Sequence, residues 1–264
     1  MALASRLAII GGGIGGIGSA TGKLLHSQGA KLALLHAPFE SENVQPAIEA
    51  TYGETSDVKA YECDITSPES VEKAFAAIAS DDVAFPSILV NTAGYVNLSP
   101  LEETTPEDSL KHYTINLYGP TLVSQAFARM YIAASKQKAL QGAPPPPGGR
   151  IVNLASQAGH VALHLHGAYC ASKAGLIGLT RSMASEWGPH GITSNSVSPG
   201  PVWTALGKKA WADQTAREAY QANVPTGKFA EPEEVARIVA FLCQDDALNI
   251  NGTDIRLDGG YTAR

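Results

Sequence analysis

Three side chains near the middle of the chain are of types that move a proton. Tyr169 and Lys173 stand four residues apart in "YCASK", and Ser156 lies thirteen residues before the tyrosine. Positions four apart on a helix share one face, so the phenol and the ammonium would be neighbours. A nearby positive charge favours the phenolate, which lowers the pKa of a tyrosine from its ordinary value of about 10. The three side chains therefore indicate general acid–base chemistry, although a tyrosine and a lysine at this spacing are also typical of an amphipathic surface helix.

A second candidate is the glycine-rich stretch "GGGIGGIG", which runs from Gly11 to Gly18 after the apolar run "RLAII". Glycines between a strand and a helix allow a tight turn and a close approach of the backbone to a pyrophosphate. The pattern G-x-G-x-x-G fits in two registers, one starting at Gly11 and one at Gly13, so spacing alone does not say which glycines are needed. A dinucleotide-binding loop is our interpretation, and a glycine-rich turn without a ligand is the alternative.

Strands and helices that would position these residues alternate along the chain. Seven short runs predict strands: "RLAII", "KLALLH", "VKAYE", "SILVN", "RIVNLAS", "ITSNSVS" and "TDIRLD". Segments with apolar residues at helical spacing separate them. This order predicts an α/β doubly wound, Rossmann-type fold with a seven-stranded parallel sheet flanked by helices, in a single domain over residues 1–264. Ser156 then follows the fifth strand at the edge where ligands bind. The stretch "QGAPPPPGG", residues 141–149, predicts a surface loop, since its prolines lack amide donors.

Composition restricts the partners. The 264 residues carry a formal net charge of −6, which argues against nucleic acid and anionic membranes and favours a small-molecule partner. The three cysteines, Cys63, Cys170 and Cys243, are spaced too widely for a disulfide framework or a cysteine-pair metal site, which favours a reducing compartment. The first residues resemble neither a signal peptide nor a membrane span. We therefore expect a cytoplasmic protein.

In its ordered motifs the chain resembles the short-chain dehydrogenase/reductase family, in the compact single-domain branch. The family's glycine pattern falls on Gly11 to Gly18, with Gly11 in place of the usual threonine, and its other motifs fall on "NTAG", "INLYG", "YCASK", "SPGPVWT" and "GTDIRLDGGYTA". The resemblance implies a catalytic tetrad of Asn116, Ser156, Tyr169 and Lys173. It implies a dinucleotide site formed by Tyr169 and Lys173 with Gly12, Gly16, Ile17, Gly18, His36, Asp64, Ile65, Asn91, Ala93, Gly94, Pro199, Gly200, Val202 and Thr204. Without the threonine, we expect a side-chain tie between the glycine loop and "NTAG" to be lost.

The resemblance implies an NAD(P)-dependent oxidoreductase that interconverts a ketone and a secondary alcohol by hydride transfer. Tyr169 would be the general acid or base, Lys173 would hold the nicotinamide ribose and lower the tyrosine pKa, Ser156 would bind the substrate oxygen, and Asn116 would hold a water in a proton relay. The alternatives are a 3-oxoacyl carrier-protein-type reductase and a non-catalytic dinucleotide-binding sensor or scaffold. A carrier-protein reductase would need a basic docking patch, and a sensor would have no need of four catalytic groups.

The choice of dinucleotide depends on position 36. The fingerprint expects an Asp or Glu about 20 residues after the glycines, at the end of the second strand, where it binds the ribose 2′-hydroxyl. That position holds His36, which does not repel a 2′-phosphate and could donate a hydrogen bond to one. Residue 37 is not an arginine, so a positive clamp is missing too, and a histidine without a ligand contact is the alternative. On this basis the sequence favours NADP(H) over NAD(H).

Where family members line the substrate pocket, this sequence has Tyr95, Gln157, His164, His166 and Trp203. Their types suggest a polar carbonyl compound, such as a ketose or polyol or an oxygenated ring. The two histidines have no third ligand nearby, so we expect no metal site. Residues 204–225 have helical spacing and are predicted to form a mobile lid. The resemblance also implies a homotetramer or homodimer with the "YCASK" helix at an interface, for which Leu176, Ile177 and Leu179 are candidates.

Overall fold

The computed structural model describes residues 2–263 and contains a seven-stranded parallel sheet. Its spatial order is β3-β2-β1-β4-β5-β6-β7. The strands are β1 (Arg6–Gly11), β2 (Lys31–His36), β3 (Val58–Glu62), β4 (Phe85–Asn91), β5 (Gly149–Leu154), β6 (Ile192–Pro199) and β7 (Asp254–Leu257). All seven predicted strands and the doubly wound Rossmann-type fold are confirmed. The order reverses between β1 and β4, so the carboxyl ends of these two strands border the crevice in which such folds bind ligands.

Helices cover both faces of the sheet. They are α1 (Gly16–Ser27), α2 (Ser41–Tyr52), α3 (Pro68–Asp81), α4 (Pro106–Tyr113), α5 (Gly119–Leu140), α6 (Gly167–Trp187), α7 (Ala205–Ala210), α8 (Gln214–Gln221) and α9 (Pro232–Leu242). Polar side chains begin several of them: Ser67 accepts a hydrogen bond from the backbone N–H of Ser70, and Thr105 accepts one from Asp108, as N-cap residues do. One π-helical turn, Thr114–Tyr118, joins α4 to α5.

Two apolar layers lie on the two sides of the sheet. One layer packs α1, α2 and α9 on the strands through residues such as Leu25, Ile48 and Val239. The other packs α3, α5 and α6 through residues such as Phe75 and Phe127. The central strands are buried on both faces, which explains why they are almost continuously apolar in sequence. No helix among residues 2–263 is both long enough and apolar enough to cross a membrane.

The end of the sheet opposite the carboxyl edge is closed by two buried arginines. Arg6 and Arg150 both pair with one carboxylate oxygen of Asp245, at 3.2 and 2.9 Å. Arg6 also donates to the backbone oxygen of Gly148 at 2.6 Å. These contacts hold the end of the proline-rich stretch at the start of β5, and the stretch lies between α5 and β5 as the predicted surface loop.

The long helix α6 packs its apolar residues within the chain. Leu176 and Ile177 are buried against Ala155, and Leu179 is half-buried at the same cluster. These leucines and the isoleucine therefore belong to the core of the protomer. They cannot supply the apolar face of an interface that their sequence spacing also allowed.

Candidate active site

The glycine loop turns from β1 into α1, and four of its glycines leave no room for a Cβ. Gly12 has φ of +72°, a conformation that favours glycine. A Cβ on Gly16 would lie 2.6 Å from the methyl carbon of Thr204, and one on Gly18 would collide with the backbone oxygen of Gly12. A Cβ on Gly13 would also lie 2.9 Å from the Leu34 side chain. The contacts at Gly12, Gly16 and Gly18 agree with the register that the family pattern indicates, but they do not by themselves exclude Gly13.

The start of α1 fits a pyrophosphate. Within residues 2–263, no side chain caps this helix: its N-cap is Gly15, and its first turn has no acidic residue. The first N–H groups of a helix have no partner inside the helix, and the helix dipole favours an anion at this end. The loop thus offers backbone donors, a favourable field and no bulky side chain to a dinucleotide.

The tie between the glycine loop and "NTAG" is present, contrary to our expectation. The hydroxyl of Thr92 donates to the backbone oxygen of Gly11 at 2.7 Å, and the backbone N–H of Thr92 donates to the same oxygen at 2.9 Å. A threonine on the second turn therefore replaces the one missing from the first. The contact fixes the spacing between the carboxyl ends of β1 and β4.

The side chain of Asn91 links neighbouring elements of the fold by hydrogen bonds. Its amide nitrogen donates to the carbonyl of Asn153 at 2.8 Å and to the hydroxyl of Ser124 at 3.0 Å, all three groups being buried. Asn91 therefore joins β4 to β5 and α5 through its nitrogen, while its Oδ1 lies beside Gly11, 3.6 Å from where a Cβ on that glycine would stand.

Other predicted binding residues line the same edge of the sheet. Gly94 lies beside the Lys173 ammonium, since a Cβ on the glycine would be 3.7 Å from Nζ. Thr204 caps α7 by accepting from the N–H of Gly207 and packs on Gly16, which brings the "SPGPVWT" segment against the glycine loop. Several others surround them: Ile17 in the first turn of α1, Asp64 and Ile65 after β3, Ala93 against Gly12, Pro199 and Gly200 at the end of β6, and Val202 in a bridge to Ala230.

Tyr169, Ser156 and Lys173 come together as predicted. Tyr169 and Lys173 lie on α6, with the ammonium nitrogen 5.8 Å from the centre of the phenol ring. Ser156 follows β5 by two residues and lies close enough to the phenol to lower its pKa. Lys173 is only 4% exposed and donates to the backbone oxygen of Leu154 at 2.7 Å. The helix and the strand end thus form one proton-transfer group.

The electrostatics differ from the sequence expectation. Burial raises the pKa of Tyr169, and the hydrogen bond from Ser156 opposes this rise only in part. Burial also lowers the pKa of Lys173 to about 8. A buried charge without a counter-ion is costly. In the protein alone, the ammonium therefore does not bring the phenol to a low pKa, because desolvation of both groups outweighs their attraction.

The Asn116 side chain is fully used by protein contacts. Its oxygen accepts from the N–H of Tyr95 at 2.7 Å, and its nitrogen donates to the oxygen of Tyr95 at 2.8 Å and to the hydroxyl of Ser172 at 3.0 Å. An amide has two N–H donors, so no donor remains for a water. The side chain positions the segment after "NTAG" against α6, and its nitrogen has no donor left for a relay water.

The main chain at Asn116 is suited to holding a relay water. In an α-helix its carbonyl would accept from the residue four positions further on. That residue is Pro120, which has no N–H. The π-helical turn Thr114–Tyr118 surrounds this point, and such turns are frequent at functional sites.

The predicted substrate residues fall into two groups. Gln157 is 2% exposed beside Ser156, and its nitrogen donates to the hydroxyl of Tyr220. Its oxygen, Oε1, has no partner among the described residues. Trp203 packs on Phe229, with ring centres 5.9 Å apart. Gln157 therefore contacts the predicted lid, residues 204–225, and Trp203 immediately precedes it.

The second group surrounds the phenol. The ring of His166 lies 6.0 Å from that of Tyr169, whereas His164 is exposed on the far side of Leu165, a residue with φ of +63°. The Tyr95 hydroxyl donates to Asp108 at 2.8 Å and is thus held by α4. His166 therefore borders the tetrad, and the exposed His164 is joined to His166 through its own backbone oxygen, which accepts from Nδ1 of His166 at 2.6 Å.

Sequence reasoning missed two residues of the site. His112 is buried between Tyr95 and Tyr169, with ring centres 4.7 and 6.3 Å away. Its Nδ1 donates to the backbone oxygen of Asp108, and its Nε2 accepts from the N–H of Asn97. Both ring nitrogens therefore have hydrogen-bond partners within the protein. Tyr220, on α8, contacts Gln157. Neither belongs to a motif, and only an aromatic position on an amphipathic helix would have marked them.

The predicted lid contains two short helices, α7 and α8, rather than one. Asp213 separates them because its carboxylate accepts from the N–H of Ala216 and begins α8. Trp211, Tyr220 and Phe229 form an aromatic cluster beneath the two helices, with neighbouring ring centres 4.8 to 5.8 Å apart. Among residues 2–263, no group of three or more His, Cys, Asp or Glu side chains is arranged to hold a metal.

Known proteins resemble this chain over its whole length. A family model described as enoyl-(acyl carrier protein) reductase matches residues 12–262. A D-threitol dehydrogenase of Mycolicibacterium smegmatis is 37% identical over 262 residues, which are 99% of this chain and 95% of that protein. An NAD-dependent glycerol dehydrogenase of Listeria innocua is 37% identical over 264 residues, covering 99% and 96% of the two chains.

A solved structure shares the fold. It is a substituted short-chain dehydrogenase/reductase of Serratia marcescens, with a TM-score of 0.84, 30% identity and coverage of 99% of this chain and 100% of the other. The tetrad geometry, the glycine loop and these full-length matches agree. The chain belongs to the short-chain dehydrogenase/reductase family and is an NAD(P)-dependent oxidoreductase that interconverts a carbonyl and a secondary alcohol.

Proposed function

We propose that the substrate is a small acyclic polyol or the ketose formed from it. The observation that carries this proposal is the buried Gln157 amide beside Ser156, whose Oε1 has no partner among the described residues. A buried acceptor without a partner is costly, and the hydroxyl next to the reacting carbon of a polyol would satisfy it. The names of the threitol and glycerol dehydrogenase relatives support the same substrate class.

The roles of the tetrad follow from its contacts. When bound, the nicotinamide dinucleotide supplies or accepts the hydride. In oxidation, Tyr169 takes the hydroxyl proton of the alcohol, and in reduction it returns a proton to the carbonyl oxygen. Ser156, which lies beside the phenol, orients the same oxygen. Lys173 holds the ribose with the ammonium donors that remain beside its bond to Leu154.

The proton leaves along the side of α6. Tyr169 and Lys173 share one face of the helix, and the Asn116 amide is committed to Tyr95 and Ser172. We therefore assign the relay water to the Asn116 carbonyl, which Pro120 leaves without a helical donor. This assignment replaces the role that the resemblance gave to Asn116 as a whole.

The dinucleotide is NAD(H) or NADP(H), and the expectation of NADP(H) rested on His36 alone. That side chain is 7% exposed. Its Nδ1 lies 3.1 Å from the backbone oxygen of Ala37, which can only accept, so this nitrogen donates within the protein. The preference for NAD(H) or NADP(H) therefore depends on the groups around His36 as much as on the histidine itself.

Residues 204–225 act as the lid over the substrate. The lid helices are largely exposed, and Tyr220 connects them to Gln157 below. Limited proteolysis tests this role: polyol together with dinucleotide should slow cleavage between residues 205 and 221. Equal cleavage with and without the two ligands would contradict it.

The protein assembles as a homodimer or homotetramer. Leu110, Tyr113 and Tyr118 are large apolar side chains exposed along α4 and the turn that follows it, and exposed apolar patches are typical of interfaces. Light scattering coupled to gel filtration would measure the mass. A monomer at micromolar concentration would contradict the assignment.

The test of the proposed function is a substrate panel. Glycerol, threitol and longer polyols, their ketoses, cyclic alcohols and an enoyl thioester should be assayed with both dinucleotides. We expect turnover of polyols and ketoses, with none of the enoyl thioester. A preference for cyclic or apolar alcohols would overturn the assignment to polyols.

A further inference from the structure

The end of β2 carries no carboxylate in sequence, yet a carboxylate lies there in space. Residues Pro38–Glu40 form a single 3₁₀ turn directly after the strand. Glu40 folds back over this turn, and its Oε2 accepts from the backbone N–H of Ala37 at 2.8 Å. The side chain at position 40 thus places its charge one residue beyond His36, where the dinucleotide fingerprint expects an acidic group.

A second carboxylate stands beside the first. Glu62 ends β3 and pairs in register with His36. Its Oε2 accepts from the hydroxyl of Ser41 at 2.8 Å, which holds it at the start of α2. Within residues 2–263, neither Glu40 nor Glu62 forms an ion pair with a basic side chain. The negative charge at this corner of the sheet is therefore not compensated.

The same corner borders the glycine loop. The backbone N–H groups of Gly12 and Gly13 both donate to the oxygen of Leu35, the residue before His36, at 3.1 and 3.3 Å. The loop that approaches the pyrophosphate is thus fixed to the strand end that carries the two carboxylates. A group on the adenosine ribose next to this loop experiences their field.

We propose that Glu40 selects NAD(H) over NADP(H), with Glu62 adding to the repulsion of a 2′-phosphate. The inference rests on the proposed dinucleotide-dependent function and names its cofactor. Glu40 keeps Oε1 as an acceptor for a ribose 2′-hydroxyl, while Oε2 remains on Ala37. A 2′-phosphate would meet like charge, which costs enough to weaken binding by about tenfold or more. The contacts around His36 thus favour the opposite cofactor from the one that position 36 suggests in sequence.

The experiment is a calorimetric titration of the whole protein with NADH and with NADPH, without substrate. We expect NADH to bind at least about tenfold more tightly at low salt, and we expect the ratio to shrink as salt screens the repulsion. NADPH binding as tightly as NADH, or more tightly, would overturn the inference with no variant needed.

The variant Glu40→Gln isolates the charge, since a glutamine oxygen can still accept from the Ala37 N–H. We expect tighter NADPH binding and a ratio that falls severalfold, while Glu62→Gln has a smaller effect in the same direction. Glu49→Gln is the matched control, because it removes the same charge from the exposed far part of α2. An unchanged ratio in Glu40→Gln, or an equal change in Glu49→Gln, would show that Glu40 does not select the cofactor.

This binding test is separate from the substrate panel. Selective NADH binding without polyol turnover would disprove the proposed substrate and leave Glu40 as the selector. Polyol turnover with a preference for NADPH binding would do the reverse.

Discussion

The active site has a floor, formed by the buried tetrad residues, and a cover, formed by the lid helices α7 and α8, and the two are held by different kinds of contact. The floor places Asn116, Ser156 and Lys173 in buried positions and ties each to backbone groups of neighbouring elements. The cover, α7 and α8, is exposed and is joined to the floor by one hydrogen bond from Gln157 to Tyr220 and by ring contacts. Proton transfer needs a fixed geometry, whereas substrate entry needs contacts that can break. The variants below test this division, starting with the floor.

The largest effect is expected from Tyr169→Phe. In the proposed mechanism the phenol is the general acid and base, so kcat should fall by about 10²–10⁴-fold. Dinucleotide affinity, measured by calorimetry, should stay close to that of the wild type. Near-normal turnover would remove Tyr169 from the role of general acid and base.

Lys173→Met should separate function from stability. The pKa of the buried ammonium falls from 10.5 to about 8, and each unit is worth about 1.4 kcal/mol. The charge therefore costs the folded protein about 3 kcal/mol at pH 7, and methionine removes this cost while abolishing turnover.

The stability difference between the wild type and Lys173→Met should shrink as pH rises. Below about pH 8 the lysine is protonated in both states and the full penalty is present. Between about 8 and 10.5 the unfolded chain binds more protons, so the wild type gains stability as pH rises and approaches the variant. Urea unfolding at pH 7 and pH 10 measures both values. A variant less stable than the wild type at pH 7 would contradict the argument.

Gln157→Leu should act on the substrate rather than on the chemistry. The variant removes the unpaired Oε1 and its hydrogen bond to a substrate hydroxyl, worth about 1.5 kcal/mol, or roughly tenfold in KM. The KM of a polyol should rise, while that of a simple secondary alcohol should not. An equal change for both substrates would exclude a specific contact to the second hydroxyl.

The smallest effect is expected from Tyr220→Phe. The variant removes the hydroxyl that Gln157 contacts and keeps the ring stacked on Tyr261, 5.2 Å away. Cleavage between residues 205 and 221 should become faster, and KM should change by only about twofold to fivefold, because one neutral hydrogen bond is lost. No change in cleavage would show that the ring contacts alone hold the cover.

Sequence predicted those parts of the site that depend on local pattern. Strand and helix periodicity placed Ser156 at a carboxyl edge, and the four-residue spacing of Tyr169 and Lys173 put both on one face of α6. Contacts between distant segments were not readable. Thr92 contacts Gly11 across 81 residues of sequence, and a pattern search at position 11 finds only a missing threonine.

Electrostatic properties were harder still. The pKa of Lys173 depends on how deeply the three-dimensional packing buries the ammonium, and sequence spacing shows only that Tyr169 is near. Similarly, Glu40 is four residues away from the position that the fingerprint examines, and only the 3₁₀ turn brings its carboxylate back. In both cases the property depends on the three-dimensional surroundings of one group: burial for Lys173, and a neighbouring carboxylate for the end of β2.

The proline-rich loop offers a place to join this enzyme to something else. Gln141 and Gly142 are exposed, whereas Pro147 accepts from the hydroxyl of Tyr131 and Gly148 accepts from Arg6. The first residues of the loop close the C-terminus of α5, since the N–H groups of Gly142 and Ala143 donate to its last carbonyls, and the second half is anchored at the end of the sheet away from the tetrad. A fusion partner or surface linker inserted after the exposed residue 144 would lie at the end of the sheet opposite the active site, and we expect KM to be unaltered.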